Sequence, residues 1–456
     1  MFDRKHIVDI DRKHIWHPFT QQKDYEKVDP VVITRGEGLF IYDEAGNKYY
    51  DTISSWWVNI LGHCNPRIND AAKQQLDTLE HVNFSGFTHP FATELVEELT
   101  EIVPENLTRY FFSDNGSTAM EVSIKMAFQY YQNQGRTSKK KFAMLNGSYH
   151  GDTLGATSVG AVDVFHALYK PLMFESIRVE APYETERKSQ FSFDYMEEGY
   201  NPECFEPMRK ALTENAEELA AVIVEPIVQG ASGMNMYHPQ YLHDLRELCD
   251  KLDILIICDE VATGFGRTGK MFAFQHAEGF TPDIFGVSKA LTGGYMPLAL
   301  TITSEKIYNA FYGDVMSTFF HGHSYTANPL ACAVAKETVK ILKEEHLPES
   351  NQDVIDHFHK RLREWTEFGF VSDIRYKGFY GAIDIVKDRN TGEKFTKEDN
   401  IFFKFYQESY KEGIILRPIG GKAIYWCLPL IVTKTDIDEI MDKSLKVVKK
   451  VIAENG

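Results

Sequence analysis

The sequence predicts an α/β fold: a mostly parallel central sheet with helices on both faces, plus a smaller α+β domain built from both chain ends. Three observations predict it. Short apolar runs rich in branched residues, at 220–224, 254–258 and 284–287, lead into loops of Gly, Thr and polar residues, the pattern of strands buried on both faces of a parallel sheet. Helical patterns alternate with these runs, as at 204–216 before 220–224. The chain of 456 residues also exceeds what one hydrophobic core usually supports. A large domain is expected over residues 93–345 and a small one from 1–92 together with 346–456.

Taken in order, the chain opens with DRKHI at 3–7 and again at 11–15, an echo too short for a repeat architecture. WHPFT (16–20) follows, then alternating apolar residues over 38–50 broken by Asp43-Glu44-Ala45-Gly46-Asn47, a hairpin pattern. Paired tryptophans, Trp56 and Trp57, lie in SSWWVNILGH; such rings fill a core or wall a substrate site. A helix is expected at 66–79 with Pro66 in its first turn. A strand at 110–112 runs into SDNGST and a helix at 119–131. A strand at 141–145 ends in NGSYHGDT, 175–199 reads as an irregular excursion, and 298–303 as another strand. After FFHGHSYT a helix begins near Asn328. Strands at 370–374 and 380–386 and a helix at 401–412 precede ILRP, which puts Arg417 at a strand end.

Bulk properties narrow the function classes. A net charge of −17 argues against a nucleic-acid-binding surface, which needs a concentrated basic face. The longest basic cluster, Lys139 to Lys141, reads as a solvated loop. Six cysteines without CxxC spacing suggest neither a zinc site nor a disulfide framework, which fits a reducing cytoplasm; Cys258 and Cys332 read as core side chains. The N-terminus lacks the apolar core of a secretory signal, and no stretch approaches the roughly 20 apolar residues of a membrane span. No membrane or nucleic-acid partner is expected, and no metal: His150 with Asp152, and His321 with His323, lack the further ligands of a zinc set.

The chemistry concentrates at two strand ends. The run 254–258 ends in Asp259 and Glu260, and the run 284–287 ends in Ser288 and Lys289. Ligands of open α/β sheets bind beyond the carboxyl ends of the strands, so this acid and this lysine share one crevice. A lysine amine condenses with an aldehyde, and a buried carboxylate keeps a pyridine nitrogen protonated so that the ring accepts electrons; the pairing suits pyridoxal phosphate. A loop-capping Asp and a surface Lys would give the same two letters. The turn at 113–118 before a helix offers backbone N–H groups and the positive end of a helix dipole to a phosphate, although a plain N-cap uses the same residues. Gly264-Phe265-Gly266-Arg267-Thr268-Gly269 spells a dinucleotide fingerprint. It lies four residues past its strand, mid-chain, and the next acid is Glu278, so a nicotinamide site is not expected.

The segment CDEVATGFGRTGKMFAFQHAEGFTPDIFGVSKALTGGYMPLA resembles the core of class III aminotransferases, pyridoxal phosphate enzymes of fold type I, and the likeness runs from about Ile15 to the C-terminal helix. The resemblance implies that Lys289 carries the cofactor, Asp259 faces its ring nitrogen, Tyr149 stacks on its ring, and Gly116 and Ser117 hold its phosphate. It implies a homodimer in which Ser324, where threonine is more usual, reaches the partner's phosphate. WHPFT, SSWWVNILGH, NGSYHGDT, VEPIVQGASGM, HGHSYTANPLACA and ILRPIG together most resemble the branch that aminates an oxo acid of biotin synthesis. That branch implies substrate contacts from Phe19, Trp56, Trp57, Arg267, His323, Arg417 and Tyr425, with Arg417 binding the far carboxylate. Phe19 stands where S-adenosylmethionine-using members have tyrosine and lysine-using members have phenylalanine. The donor expected is S-adenosylmethionine, with lysine as the alternative.

Overall fold

The structure, a computed structural model, describes residues 2–185, 191–193, 196, 199–396 and 398–455. Strands β1 (Ile33–Glu37), β2 (Phe40–Asp43) and β3 (Lys48–Tyr50) form an antiparallel meander. The predicted hairpin is there, and Asp43 closes it by accepting the Ala45 and Asn47 N–H groups and the Tyr49 hydroxyl. The main sheet is built from β4 (Arg109–Ser113), β5 (Lys141–Leu145), β6 (Ile177–Val179) and β7 (Leu219–Val224). After the small ribbon of β8 (Val228–Gln229) and β9 (Asn235–Met236) come β10 (Leu255–Asp259), β11 (Ile284–Val287) and β12 (Ala299–Thr303). The sheet order is β4-β12-β11-β10-β7-β5-β6, and β12 alone runs antiparallel to its neighbours.

Every residue of β7, β10 and β11 is buried, as the unbroken apolar runs predict. Alternate residues serve different cores. Ile256 and Cys258 pack with Leu245 and Cys249 of the helix Gln240–Leu252, whereas Leu255 and Ile257 pack with Met120 and Ile124 of the helix Gly116–Asn133. Helices therefore cover both faces. Strands β13 (Val371–Lys377), β14 (Tyr380–Ile385), β15 (Arg417–Ile419) and β16 (Ala423–Cys427) form an antiparallel sheet in the order β13-β14-β16-β15. The two chain ends join as expected: the Tyr50 N–H donates to Gly413 O (2.9 Å), the Ile415 N–H to Tyr50 O (3.1 Å) and the Cys427 N–H to Thr52 O (2.8 Å). Among the described residues, no helix is long and apolar enough to cross a membrane.

Several expectations are corrected. The helix predicted at 119–131 begins three residues earlier, at Gly116, because Asn115 and Thr118 form a reciprocal capping box. The helix predicted at 204–216 is a 3-10 turn, Pro202–Phe205, followed by Glu206–Glu214, with Pro207 in its first turn. The run 414–416 is no strand, since its amides bond to Ser409 and Tyr50, and β15 starts at Arg417 rather than ending there. The excursion 175–199 contributes β6, and part of it lies outside the described residues. Lys139 is not solvated. It is 2% exposed, its ammonium donates to the carbonyls of Ala216, Leu219, Leu252 and Asp253, and burial pushes the amine down to about 8.

Arg375 ties the small sheet to the loop before β9. Its fully buried guanidinium pairs with Asp373 (2.6 Å) and Asp384 (2.5 Å) and donates to Gly233 O. Removing one member of a buried ionic cluster strands the others in low dielectric. Arg375→Ala is expected to cost about 3–5 kcal/mol in denaturant unfolding. A loss below about 1 kcal/mol would show that water replaces the guanidinium.

Candidate active site

The carboxyl ends of β5, β7, β10 and β11, which are neighbours in the sheet, open onto one cavity of about 1760 Å³. Asp259 is the last residue of β10, Glu225 follows β7, Tyr149 and His150 follow β5, and Lys289 follows β11; all five line the cavity. The predicted pairing of acid and lysine is therefore present. Asp259 is 5% exposed, its Oδ2 lies 2.7 Å from His150 Nδ1, and its Oδ1 accepts the Val261 N–H (3.0 Å). Lys289 opens a 3-10 turn at φ 45°, a left-handed conformation that non-glycine residues keep only where surrounding structure enforces it. Burial pulls its amine below the usual lysine range, against the opposing pull of the Asp259 and Glu225 charges. The neutral amine, the nucleophilic form, is thereby favoured.

Gly116 and Ser117, the first residues of the helix Gly116–Asn133, sit at the cavity wall, where a helix start leaves N–H groups without carbonyl partners. Only glycine fits at 116, since a Cβ there would lie 2.3 Å from Val261 Cγ1. Ser117 Oγ lies 2.8 Å from Thr153 Oγ1 and accepts the Thr153 N–H. Tyr149 donates its hydroxyl to Asp152 (2.8 Å), and burial with Asp152 keeps the phenol protonated far above its ordinary range.

The substrate wall comes from the chain ends. Ser54 to Trp57 all have positive φ, between 46° and 72°, a left-handed turn without a glycine. Ser54 Oγ donates to Cys427 O and Ser55 N–H to Asp51, and Arg267 completes the restraint. Arg267 was expected among substrate contacts; instead it is fully buried behind the tryptophans, donating to Ser54 Oγ, Trp57 O, Asn59 O and Leu428 O, and it does not line the cavity. Trp57 is buried, edge-on to Tyr425, with the Lys289 amine 4.7 Å from its ring centre. Trp56 is 38% exposed; the Arg417 guanidinium lies 4.4 Å from its ring centre, and Phe19 meets it edge-on. Phe19, Trp56, Trp57, Arg417 and Tyr425 all line the cavity. Ser324 and His323 do not; Ser324 is exposed, and His323 Nδ1 accepts the Tyr325 N–H. The dinucleotide-like glycines lead into loop and a short 3-10 turn, Ala273–His276, and not into the helix that a pyrophosphate site requires.

Sequence reasoning missed Glu225, His150 as the partner of Asp259, and Phe165, which meets both Phe19 and Tyr149 edge-on. Glu225 and His150 have only their place after a strand to mark them, and Phe165, in the short helix Asp163–His166, lacks even that. The arrangement fits pyridoxal phosphate: a helix-start cradle closed by Val261, a buried carboxylate, an aromatic side chain and a lysine with a depressed amine all face one cavity.

Comparison with known proteins agrees. A model of the family "Aminotransferase class-III" matches residues 20–448. The adenosylmethionine-8-amino-7-oxononanoate aminotransferase of Geobacter sulfurreducens is 42% identical over 443 residues, 97% of each chain. The crystal structure of the enzyme of that name from Methanocaldococcus jannaschii superposes with a TM-score of 0.91 at 37% identity, covering 98% of this chain and 99% of that one. An omega transaminase from Pseudomonas jessenii, solved in complex with PMP, superposes with a TM-score of 0.91 at 28% identity and 99% coverage of both chains. A family match over nearly the whole length, on a cavity built for a lysine-bound pyridoxal cofactor, leads to one conclusion: the chain belongs to the class III aminotransferases and is a pyridoxal-phosphate-dependent transaminase.

Proposed function

We propose that the protein transfers an amino group to 8-amino-7-oxononanoate, giving 7,8-diaminononanoate for biotin synthesis, with S-adenosylmethionine as donor. Relatives bearing that name match nearly end to end, and the observation that carries the substrate class is Arg417. Its guanidinium lies against Trp56 at the cavity, and no carboxylate among the described residues pairs with it. A guanidinium fork binds a carboxylate through two bonds, so an oxo acid with a distant carboxylate suits this end of the cavity.

Bound at Lys289, pyridoxal phosphate supplies an aldehyde that carries the amino group and a ring that accepts electrons. With that group held, the Lys289 amine would move the proton at the reacting carbon. Asp259 would hold a proton on the group's ring nitrogen, and Gly116 and Ser117 would hold its phosphate. Tyr149 and Trp57 wall the slot, and Arg417 holds the acceptor's carboxylate. Phe19, edge-on to Trp56 and Phe165, gives the mouth an apolar ring with no hydroxyl, which favours lysine as the second reading of the donor.

The same reading divides the chain into a small domain from 1–92 and 346–456 and a cofactor domain from 93–345, in a cytoplasmic homodimer. Ser324, outside its own cavity, then serves the partner's phosphate. Exposed Tyr312, Met316, Phe320 and Tyr325 in the surrounding segment support such an interface.

Half-reactions with S-adenosylmethionine, lysine and alanine, followed by addition of the oxononanoate, test the assignment; diaminononanoate from none of them would overturn it. Arg417→Ala is expected to raise KM for the oxononanoate by about 10–100-fold, the loss of one charge-assisted pair. An unchanged KM would place the carboxylate elsewhere.

A further inference from the structure

Glu225 has no assigned part in the chemistry, yet its carboxylate joins two walls of the slot. It follows β7, is 5% exposed and lines the cavity. One oxygen accepts the backbone N–H of Tyr149 (2.9 Å), and the other accepts the N–H of Gly230 (2.9 Å). Tyr149 is the aromatic wall. Gly230 is the bed of Trp57: a Cβ at 230 would lie 2.9 Å from that indole, so the ring rests directly on this backbone. The residue is itself held, because its carbonyl accepts the buried Tyr237 hydroxyl (2.8 Å).

We propose that Glu225 is a positioning residue for the transamination: as an anion it fixes Tyr149 and the Trp57 bed at one spacing and places a second negative charge, beside Asp259, on the Lys289 amine. The inference rests on the transaminase reading and holds for any donor.

The groups facing this carboxylate are His150, Asp259, Lys289, Tyr149 and Tyr237. Burial first, and Asp259 second among the groups that raise it, push the carboxyl up to about 7, while His150 and the two N–H donors pull the other way. The carboxylate form therefore predominates above about pH 7, and the clamp loosens as pH falls through that value. Two variants separate charge from reach. Glu225→Gln keeps the length but removes the charge and turns an amide N–H₂ toward one of the two backbone donors. Glu225→Asp keeps the charge but is one methylene too short to span both.

The holoenzyme is titrated by absorbance, following the pH at which the Lys289-linked chromophore takes up its proton, alongside kcat and KM. Glu225→Gln is expected to move that spectral transition down by about one pH unit, because a neighbouring anion favours the protonated nitrogen, and to lower kcat by at least about 10-fold. Glu225→Asp is expected to leave the transition in place and still lower kcat by at least about 10-fold. A Glu225→Gln protein with the parental transition and parental kcat overturns the proposal. If that variant does not fold, a Glu225→Asp protein with parental kcat does so alone. A chain that binds pyridoxal phosphate with no lysine-linked chromophore at all would instead refute the transaminase reading.

Discussion

Replacing Lys289 by alanine is expected to abolish the borohydride-fixable link between protein and cofactor and to slow transamination by about 10⁴-fold or more. The size of the effect follows from how many tasks one amine holds. It sits at φ 45°, past the end of β11, in a turn no apolar packing would choose for lysine. It opens onto the cavity within 4.7 Å of the Trp57 ring centre. Burial lowers its proton affinity, and Asp259 and Glu225 stop the fall from running further. Such an amine can both attack an aldehyde and relay a proton, and among the described residues no other lysine at the cavity has that setting: Lys422 is paired with Asp384 at 2.9 Å. Lys289→Arg is the control for shape, since a guanidinium fills the space but does not give up its proton. An unchanged reducible adduct in Lys289→Ala would remove the residue from this part.

What the sequence discloses and what it hides divide along a physical line. Asp259 and Lys289 were legible because apolar runs buried on both faces must stop where the sheet stops, so the first charged residue after each run falls at the crevice. The helix start at the cavity wall was legible because Asn115, Gly116 and Ser117 carry the local chemistry of such a start. The left-handed turn at 54–57 was not, because Ser-Ser-Trp-Trp has no glycine and among its restraints are bonds to Cys427 O and from Arg267, each more than 200 residues away. Arg267 itself was misread for the same reason: an arginine solvated by carbonyls inside a core has no local sequence mark. Lys139 shows it again, three adjacent lysines reading as surface while the first is ringed by carbonyls from distant segments. Register and capping travel in the sequence; long-range satisfaction of buried polar groups does not.

Asp259→Asn is expected to retain the Lys289-linked chromophore but slow the donor half-reaction by about 10²–10³-fold. The substitution keeps the volume and one acceptor, so the Val261 N–H that bonds to Oδ1 is still served. The charge is lost. In the parent, Asp259 is 5% exposed, His150 Nδ1 lies 2.7 Å from its Oδ2, and the Val261 N–H serves the other oxygen. A carboxylate so supported can hold a proton on a pyridine nitrogen throughout the cycle; a neutral amide cannot. The defect should therefore appear in the proton-transfer step and not in binding, with single-turnover rates falling while the KM for donor changes little. His150→Ala should give a milder version of about 10-fold, since it removes support from the charge and not the charge itself. If Asp259→Asn instead turned over at the parental rate, the ring nitrogen would need no protonated state, and the buried carboxylate between His150 and Lys289 would be a structural feature only.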